Sequence, residues 1–260
     1  MSAKHRSLGV ALLVALLAAS AASAQFAPEE SQWQNSWTGY MWFPGFQGNA
    51  VMQGNPVDVD VSVGDTIDAL SDMEVSFSAH YEGHRRPWGV IADFMYWRME
   101  QQFVHPDYGD VEVKPRQLVA ELAGAYTVGE KLMGDVVTQR TEALVGARYN
   151  MLKMSVSLEE GDFYASKSKN YVDPFVGARI FQALSDKWGV NLRADVGGFG
   201  IGSEMAVNVV GTLGYTIRPR NSILLGWRYY SQDYESGSGD SEFKWDVDQS
   251  GPFLAWQTRF

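Results

Sequence analysis

The sequence predicts an all-β fold, a closed antiparallel transmembrane barrel of about ten strands behind a cleaved export segment. Three observations carry this reading. Apolar and polar residues alternate with period two through most of the chain, the N-terminus is built for export, and the last strand ends on Phe260.

The export segment comes first. Lys4, His5 and Arg6 precede the apolar run Leu8 to Ala19, and Ala22-Ser23-Ala24 supplies a small-residue cleavage site. Basic, then apolar, then small is the build of a secretory signal peptide. The apolar run is about 12 residues where a spanning helix needs roughly 20, so an N-terminal anchor is the poorer reading. Residues 1–24 are therefore expected to be removed, leaving one domain over 25–260.

Beyond that segment no apolar stretch approaches the length of a transmembrane helix. The chain has no cysteine, which excludes disulfides, thiol catalysis and thiolate metal sites. A formal charge of −10 argues against nucleic acid as a partner. Nine Trp, twelve Tyr and thirteen Phe suit a membrane interface, where an apolar ring and a polar tip both find partners. They also suit a soluble β-sandwich with a saccharide-binding face.

The strands follow. Trp188, Val190, Leu192, Ala194 and Val196 form an apolar face, opposite Asn191, Arg193 and Asp195. Met205, Val207, Val209, Leu213 and Tyr215 oppose Asn208, Thr212 and Thr216, and Ile223, Leu225, Trp227 and Tyr229 oppose Arg228 and Gln232. Upstream, Val172, Val176, Ala178 and Ile180 oppose Asp173 and Arg179, while Ala143, Val145, Ala147 and Tyr149 oppose Glu142 and Arg148. Glu121 is the odd member of Leu118 to Tyr126, and Asp93 of Trp88 to Tyr96. In a membrane barrel the apolar face meets lipid and the charged face the lumen. Asp93, Glu121, Glu142, Arg148, Asp173, Arg179, Arg193, Asp195 and Arg228 are thus the candidate lumen residues. Their opposite signs let them pair across strands, and unpaired each would be costly to desolvate.

Loop lengths give the count, because bacterial barrels have short periplasmic turns and longer outer loops. Glu235–Ser250, Gly198–Glu204, Glu159–Asn170 and Gln101–Lys114 read as outer loops. Arg218–Asn221, Leu184–Lys187, Val128–Val137 and Gly83–Pro87 read as periplasmic turns. Strands near Glu74–Tyr81 and Trp37–Phe43 bring the total to ten. The stretch Pro44–Asp72 contains an alternating segment, Val57–Val63, and a helical candidate, Asp65–Leu70. It leaves counts of eight or twelve, or a plug in the lumen, open.

The final strand places Leu254, Trp256 and Phe260 on one face and Ala255, Gln257 and Arg259 on the other. It resembles the C-terminal signature that the barrel-assembly machinery recognises in outer-membrane barrels, with Thr258 a departure where a larger apolar residue is usual. Val57-Asp-Val-Asp-Val-Ser-Val-Gly-Asp-Thr-Ile-Asp-Ala-Leu70, Tyr171-Val-Asp-Pro-Phe-Val-Gly-Ala-Arg179 and Arg193-Ala-Asp-Val-Gly-Gly-Phe-Gly-Ile-Gly-Ser203 extend the likeness, with Gly226-Trp-Arg-Tyr-Tyr230 and Gly251-Pro-Phe253. Together they resemble a largely uncharacterised family of Gram-negative outer-membrane β-barrels. The resemblance implies fold, outer-membrane location, lipid as surroundings, and periplasmic chaperones and the assembly machinery as partners in biogenesis. It implies no activity.

Chemistry is sparse. Gly197-Gly-Phe-Gly-Ile-Gly202 superficially resembles a phosphate loop, but such a loop must open a helix and here an alternating strand follows. A sharp reversal, where glycine permits positive φ, is the better reading. His80, Glu82 and His84 share a face in a metal- or base-like spacing, although Arg85 and Arg86 beside them point to a solvated turn. His105 lies near Asp107 without a supporting serine motif. No metal or cofactor is expected. The sequence therefore predicts a non-enzymatic outer-membrane barrel, a passive pore or a structural and surface-interaction protein. A membrane hydrolase using His105 or His80, and a soluble periplasmic sandwich, are the alternatives.

Overall fold

The described residues form thirteen strands, one short α-helix and a 3-10 turn at Gly239–Ser241, in a computed structural model that describes residues 32–52, 55–68, 75–98, 101–105, 109–133, 136–158 and 164–260. The expected signal peptide lies outside the described residues. Ten strands make the barrel: β1 (Gln34–Trp42), β4 (Val75–Arg85), β5 (Trp88–Arg98), β7 (Gly109–Met133), β8 (Val136–Leu158), β9 (Tyr164–Ala183), β10 (Trp188–Gly198), β11 (Met205–Arg218), β12 (Asn221–Ser236) and β13 (Phe243–Arg259). Each pairs antiparallel with the next, and β13 returns to β1 from Trp42↔Phe253 to Ser36↔Arg259. Closure leaves no open edge in the ring, as a hydrocarbon surrounding demands. It also overturns the sandwich alternative, since one sheet closes on itself instead of two sheets stacking.

The remaining three strands lie outside the ring. β6 (Gln101–His105) pairs with the start of β7, so Gln101–Lys114 is largely a hairpin and not an open loop. β2 (Gly45–Met52) and β3 (Asn55–Val61) form a hairpin whose first strand pairs with the outer half of β13. The alternating Val57–Val63 segment therefore pairs, yet the barrel stays at ten strands. The helical candidate is α1 (Val63–Asp68), two residues ahead of its expected start. Ser62 and Asp65 cap it reciprocally: the Ser62 N–H donates to Asp65 Oδ2 at 2.8 Å, and the Asp65 N–H to Ser62 Oγ at 3.1 Å. These bonds hold the exposed Asp65 carboxyl below the usual carboxylate range. The Thr66 hydroxyl, buried, donates to the Pro44 carbonyl at 2.6 Å and docks the helix on the β1–β2 corner.

That corner rests on Gly251. Phe43 N–H donates to the Pro252 carbonyl at 3.0 Å, and Trp42 Nε1 to the Gly251 carbonyl at 3.2 Å. A Cβ at residue 251 would sit 2.0 Å from the Phe43 carbonyl oxygen, so glycine is what lets the two strands approach.

Connections at the two ends differ in length. At the end holding both termini of the barrel, turns such as Arg86-Pro87 and Pro219-Arg220 are short; this is the turn end. At the other, the loop end, the strands run further than the sequence indicated. β12 reaches Ser236 and β13 begins at Phe243, so most of Glu235–Ser250 is strand. β9 likewise begins at Tyr164 within the expected Glu159–Asn170 loop. At the turn end, β7 runs to Met133 and β8 begins at Val136, which shrinks the expected Val128–Val137 turn.

The physical reason lies in polarity. Around the waist, outward residues are apolar, with Leu122 and Val145 each 63% exposed, and the inward ones are charged. Aromatic pairs Trp88–Tyr126, Trp188–Tyr215 and Trp37–Tyr81 mark the turn-end border, with ring centroids 4.8, 4.7 and 5.1 Å apart. A transmembrane strand takes about 9–11 residues, the reach from Trp88 to Tyr96 in β5 and from Tyr126 to Leu118 in β7. Beyond that belt the pattern inverts. Phe243, Trp245 and Val247 point inward and are buried, while Lys244, Asp246 and Asp248 point outward. The loop end is packed as a water-soluble protein is, with Phe46, Ala50, Trp97, Leu152, Met154 and Tyr234 in the same core.

Candidate functional site

The lumen gathers the polar chemistry of the chain, and strand register shows how. One row of neighbouring residues runs Thr38, His80, Asp93, Glu121, Arg148 and Asp173 across β1, β4, β5, β7, β8 and β9. A second runs Glu142, Arg179, Arg193, Val210, Arg228 and Gly251 across β8 to β13. The first carries three carboxylates and one arginine, the second three arginines and one carboxylate. Together they hold eight of the nine predicted lumen residues, and Asp195 faces inward two residues from Arg193.

Arg148 is the centre. Its Nε and Nη2 donate to Glu121 Oε2 at 3.2 and 2.8 Å, and Nη2 also to Asp195 Oδ1 at 2.8 Å. Arg193 repeats the bridge, with Nη2 2.7 Å from Glu121 and 2.8 Å from Asp195. Two guanidinium groups thus share two carboxylates, a geometry that the planar fork of arginine suits and lysine does not. The Phe175 ring lies against both, with centroid distances of 4.7 Å to Arg148 and 5.4 Å to Arg193, and Tyr230 covers Arg148 at 5.1 Å. Gly146 makes room for that ring, since a Cβ there would stand 2.6 Å from Phe175 Cζ.

Around this centre the other charges are also partnered. Arg228 donates to Asn208 Oδ1 at 3.0 Å and stands 3.6 Å from Asp93. Tyr40 donates its hydroxyl to Asp93 at 2.9 Å, and Asn208 donates to Asp195 at 2.8 Å. Nearer the turn end, Arg179 bridges Glu142 and Glu82, and Arg140 lies 3.1 Å from Glu142. Nearer the loop end, Asp173 accepts from Asn150 at 2.9 Å and from the Ser203 N–H and hydroxyl at 2.7 and 2.9 Å. The Gly-rich Gly197–Ser203 stretch is thus a reversal folded over Asp173. Gly198 and Gly200 carry φ of 89° and 71°, and β11 follows it instead of a helix.

Sequence reasoning missed several members. His84 was expected in a solvated turn, but its ring is mostly buried with Nε2 3.1 Å from Glu142, because β4 continues to Arg85 and keeps it on the lumen face. His80 does share its face with Glu82 and His84. Its two ring nitrogens stand 3.0 Å from Asp93 and 2.9 Å from Glu82. No group of metal-binding side chains forms among the described residues. Asn208 already stands on the polar face in the sequence pattern, and the same alternation extended to Tyr40, Asn150 and Tyr230 flags them as inward, though not as partners. Ser155 is half-buried and bonded to Ser166, and Ser203 gives both its N–H and its hydroxyl to Asp173. His105 ends β6, opposite Gly109.

Above the charged tier, Trp97, Gln117, Gln232, Asn150, Tyr171 and Tyr230 form a hydrogen-bonded polar layer, and the apolar loop-end core lies beyond it. Below it the lumen widens to a cavity of about 700 Å³ open at the turn end. Small inward residues leave this space, among them Ser36, Thr38, Thr212, Thr216 and Ser222. At the other face of the last strand, Leu254, Trp256 and Phe260 are exposed, at 54%, 48% and 60%.

No protein-family model matches the sequence, and no curated protein matches it. Among solved structures the chain is similar to the outer membrane protease OmpT of Escherichia coli, at 10% identity and a TM-score of 0.51, covering 88% of this chain and 97% of that one. It is also similar to the attachment invasion locus protein Ail of Yersinia pestis (13% identity, 88% and 98% covered, TM-score 0.34). A third is the translocator domain of the autotransporter NalP from Neisseria meningitidis (11%, 90% and 91%, TM-score 0.45). The likeness to OmpT is one of fold. The chain has the architecture of an outer-membrane β-barrel, closed and antiparallel, of ten strands with an added hairpin.

Proposed function

We propose that this chain is a non-enzymatic barrel of the Gram-negative outer membrane, with a structural or surface-interaction role, and that it is not a pore. The observation that carries the reading is the sealed lumen: the Arg148–Glu121–Arg193–Asp195 cluster fills its middle and the Trp97–Phe243 core fills its loop end. The short turns support a reading in which the turn end lies in the periplasm and the loop end outside the cell. Outer-leaflet and inner-leaflet lipid then surround the apolar belt, and the exposed Leu254–Phe260 face is available to the barrel-assembly machinery. In this orientation the 700 Å³ cavity opens toward the periplasm, beneath the charged cluster that fills the lumen.

In planar bilayers the purified protein is expected to show no unitary conductance. Stable ion-conducting steps that track protein concentration would sink the sealed-lumen reading.

The hydrolase alternative draws on one observation, the His80 ring between Asp93 and Glu82 at the roof of the periplasmic cavity. No serine hydroxyl bonds to that ring among the described contacts. In a screen of lipid and peptide substrates, the wild type and His80→Ala are expected to be equally inactive. Turnover in the wild type that His80→Ala abolishes would install the enzymatic reading instead.

A further inference from the structure

The loop-end border of the apolar belt is not uniform around the barrel. On β5, β7 and β8 the last apolar row is Tyr96, Leu118 and Met151, which are direct cross-strand neighbours pointing outward. The next outward row on the same strands is Arg98, Arg116 and Lys153. Register fixes both sides of this statement. Trp97, Gln117 and Leu152, between the two rows, are buried in the lumen, so the three cations share the outer face. Neighbouring strands lie about 4.8 Å apart, which puts the Cα atoms of the three residues within about 10 Å of one another.

The opposite wall carries the other sign at the same height. On β12, β13 and β2 the row above Tyr229 and Ser250 is Ser231, Asp248 and Gln47, followed by Asp233, Asp246 and Asn49. The basic row is therefore not a general feature of the rim. It belongs to one third of the wall, immediately above lipid-facing apolar residues.

Two forked guanidiniums beside an ammonium, aligned in one outward row, match phosphate oxygens. We infer that Arg98, Arg116 and Lys153 form a binding site for the phosphorylated headgroup of a membrane lipid, with its acyl chains lying down the Tyr96–Leu118–Met151 wall. The continuity of the cationic row with the apolar belt is what selects a lipid over a soluble phosphate. The site rests on the belt position argued above, and on the proposed orientation only for which leaflet supplies the lipid.

Native mass spectrometry of the folded protein in dodecylmaltoside micelles tests this, with dioleoylphosphatidic acid against dioleoylphosphatidylcholine, which share their acyl chains. Phosphatidic acid is expected to be retained at least fivefold more, and the preference to shrink as ionic strength rises. In the Arg98→Ser/Arg116→Ser/Lys153→Ser variant the preference should fall to near unity, while Asp246→Asn/Asp248→Asn keeps it. Heat-dependent gel mobility verifies folding; if the triple variant fails to fold, Arg116→Ser and Lys153→Ser singly should each lose part of the preference. Equal retention of the two lipids by the wild type, or a preference undiminished in the variants, overturns the site. Micelles have no sides, so these outcomes judge the cationic row itself. A failure of the proposed orientation would instead appear as protease protection of the loop end on intact cells.

Discussion

Arg148→Leu is expected to destabilise the barrel by about 3–5 kcal/mol, because removing one partner of a buried charge cluster leaves the others uncompensated. Arg148 and Asp195 are buried completely, and Glu121 nearly so. With Arg148 gone, Arg193 alone faces both carboxylates, and two negative charges share one fork. Arg148→Lys should lie between the two, since it keeps the charge but loses the bidentate geometry and the flat contact with Phe175 and Tyr230. Adding Glu121→Gln and Asp195→Asn to Arg148→Leu should recover much of the loss by removing the orphaned charge. Urea titration in micelles, read by gel mobility of unheated samples, measures each step. An Arg148→Leu protein that unfolds at the wild-type urea concentration would mean that the cluster is solvated and the lumen open.

The second large effect is expected at Trp97→Ala, at about 3–5 kcal/mol for a buried aromatic truncated to alanine. Trp97 is 5% exposed, its ring meets the edge of Phe46 at 5.2 Å, and its Nε1 donates to Gln117 at 3.1 Å. Truncation removes the ring that packs against Phe46 of the β2–β3 hairpin and leaves Gln117 short of a donor. The loss should therefore be local as well as global. Chymotrypsin is expected to cut near Phe46 or Met52 in Trp97→Ala while the wild type resists under the same conditions. A stability loss without new cleavage would show that pairing with β13, and not the core, holds the hairpin in place.

Much of this fold was legible in the chain. The outward register of Trp188 to Val196 and of Ile223 to Tyr229, the glycine reversal at Gly198, and the ten-strand count all follow from period-two alternation with short and long connections. The expected loops failed where the alternation continues in the opposite sense. Phe243, Trp245 and Val247 alternate with Lys244, Asp246 and Asp248 as regularly as any membrane strand does. Their outer face is polar because it meets water, and a Gly/Ser-rich neighbourhood made the segment read as loop.

His84 shows a different limit. Beside Arg85 and Arg86 it looked like a turn residue, yet its place on β4 sets it against Glu142 of β8. Nothing local encodes that meeting.

The sequence by itself determined which residues share a face, because a strand's pleat turns every second side chain the same way regardless of what surrounds it. It therefore determined that nine charged residues share the face opposite the apolar one, while closure of β13 onto β1 is what made that face a lumen. The tertiary structure alone decided which of those charges meet. Arg148 reaches Asp195 across β9, and Arg228 approaches Asp93 across a lumen that only closure of β13 onto β1 creates. Those contacts join residues distant in the chain, and ring closure, tilt and lumen width set them. That is why a row of alternating charges became, in three dimensions, a seal.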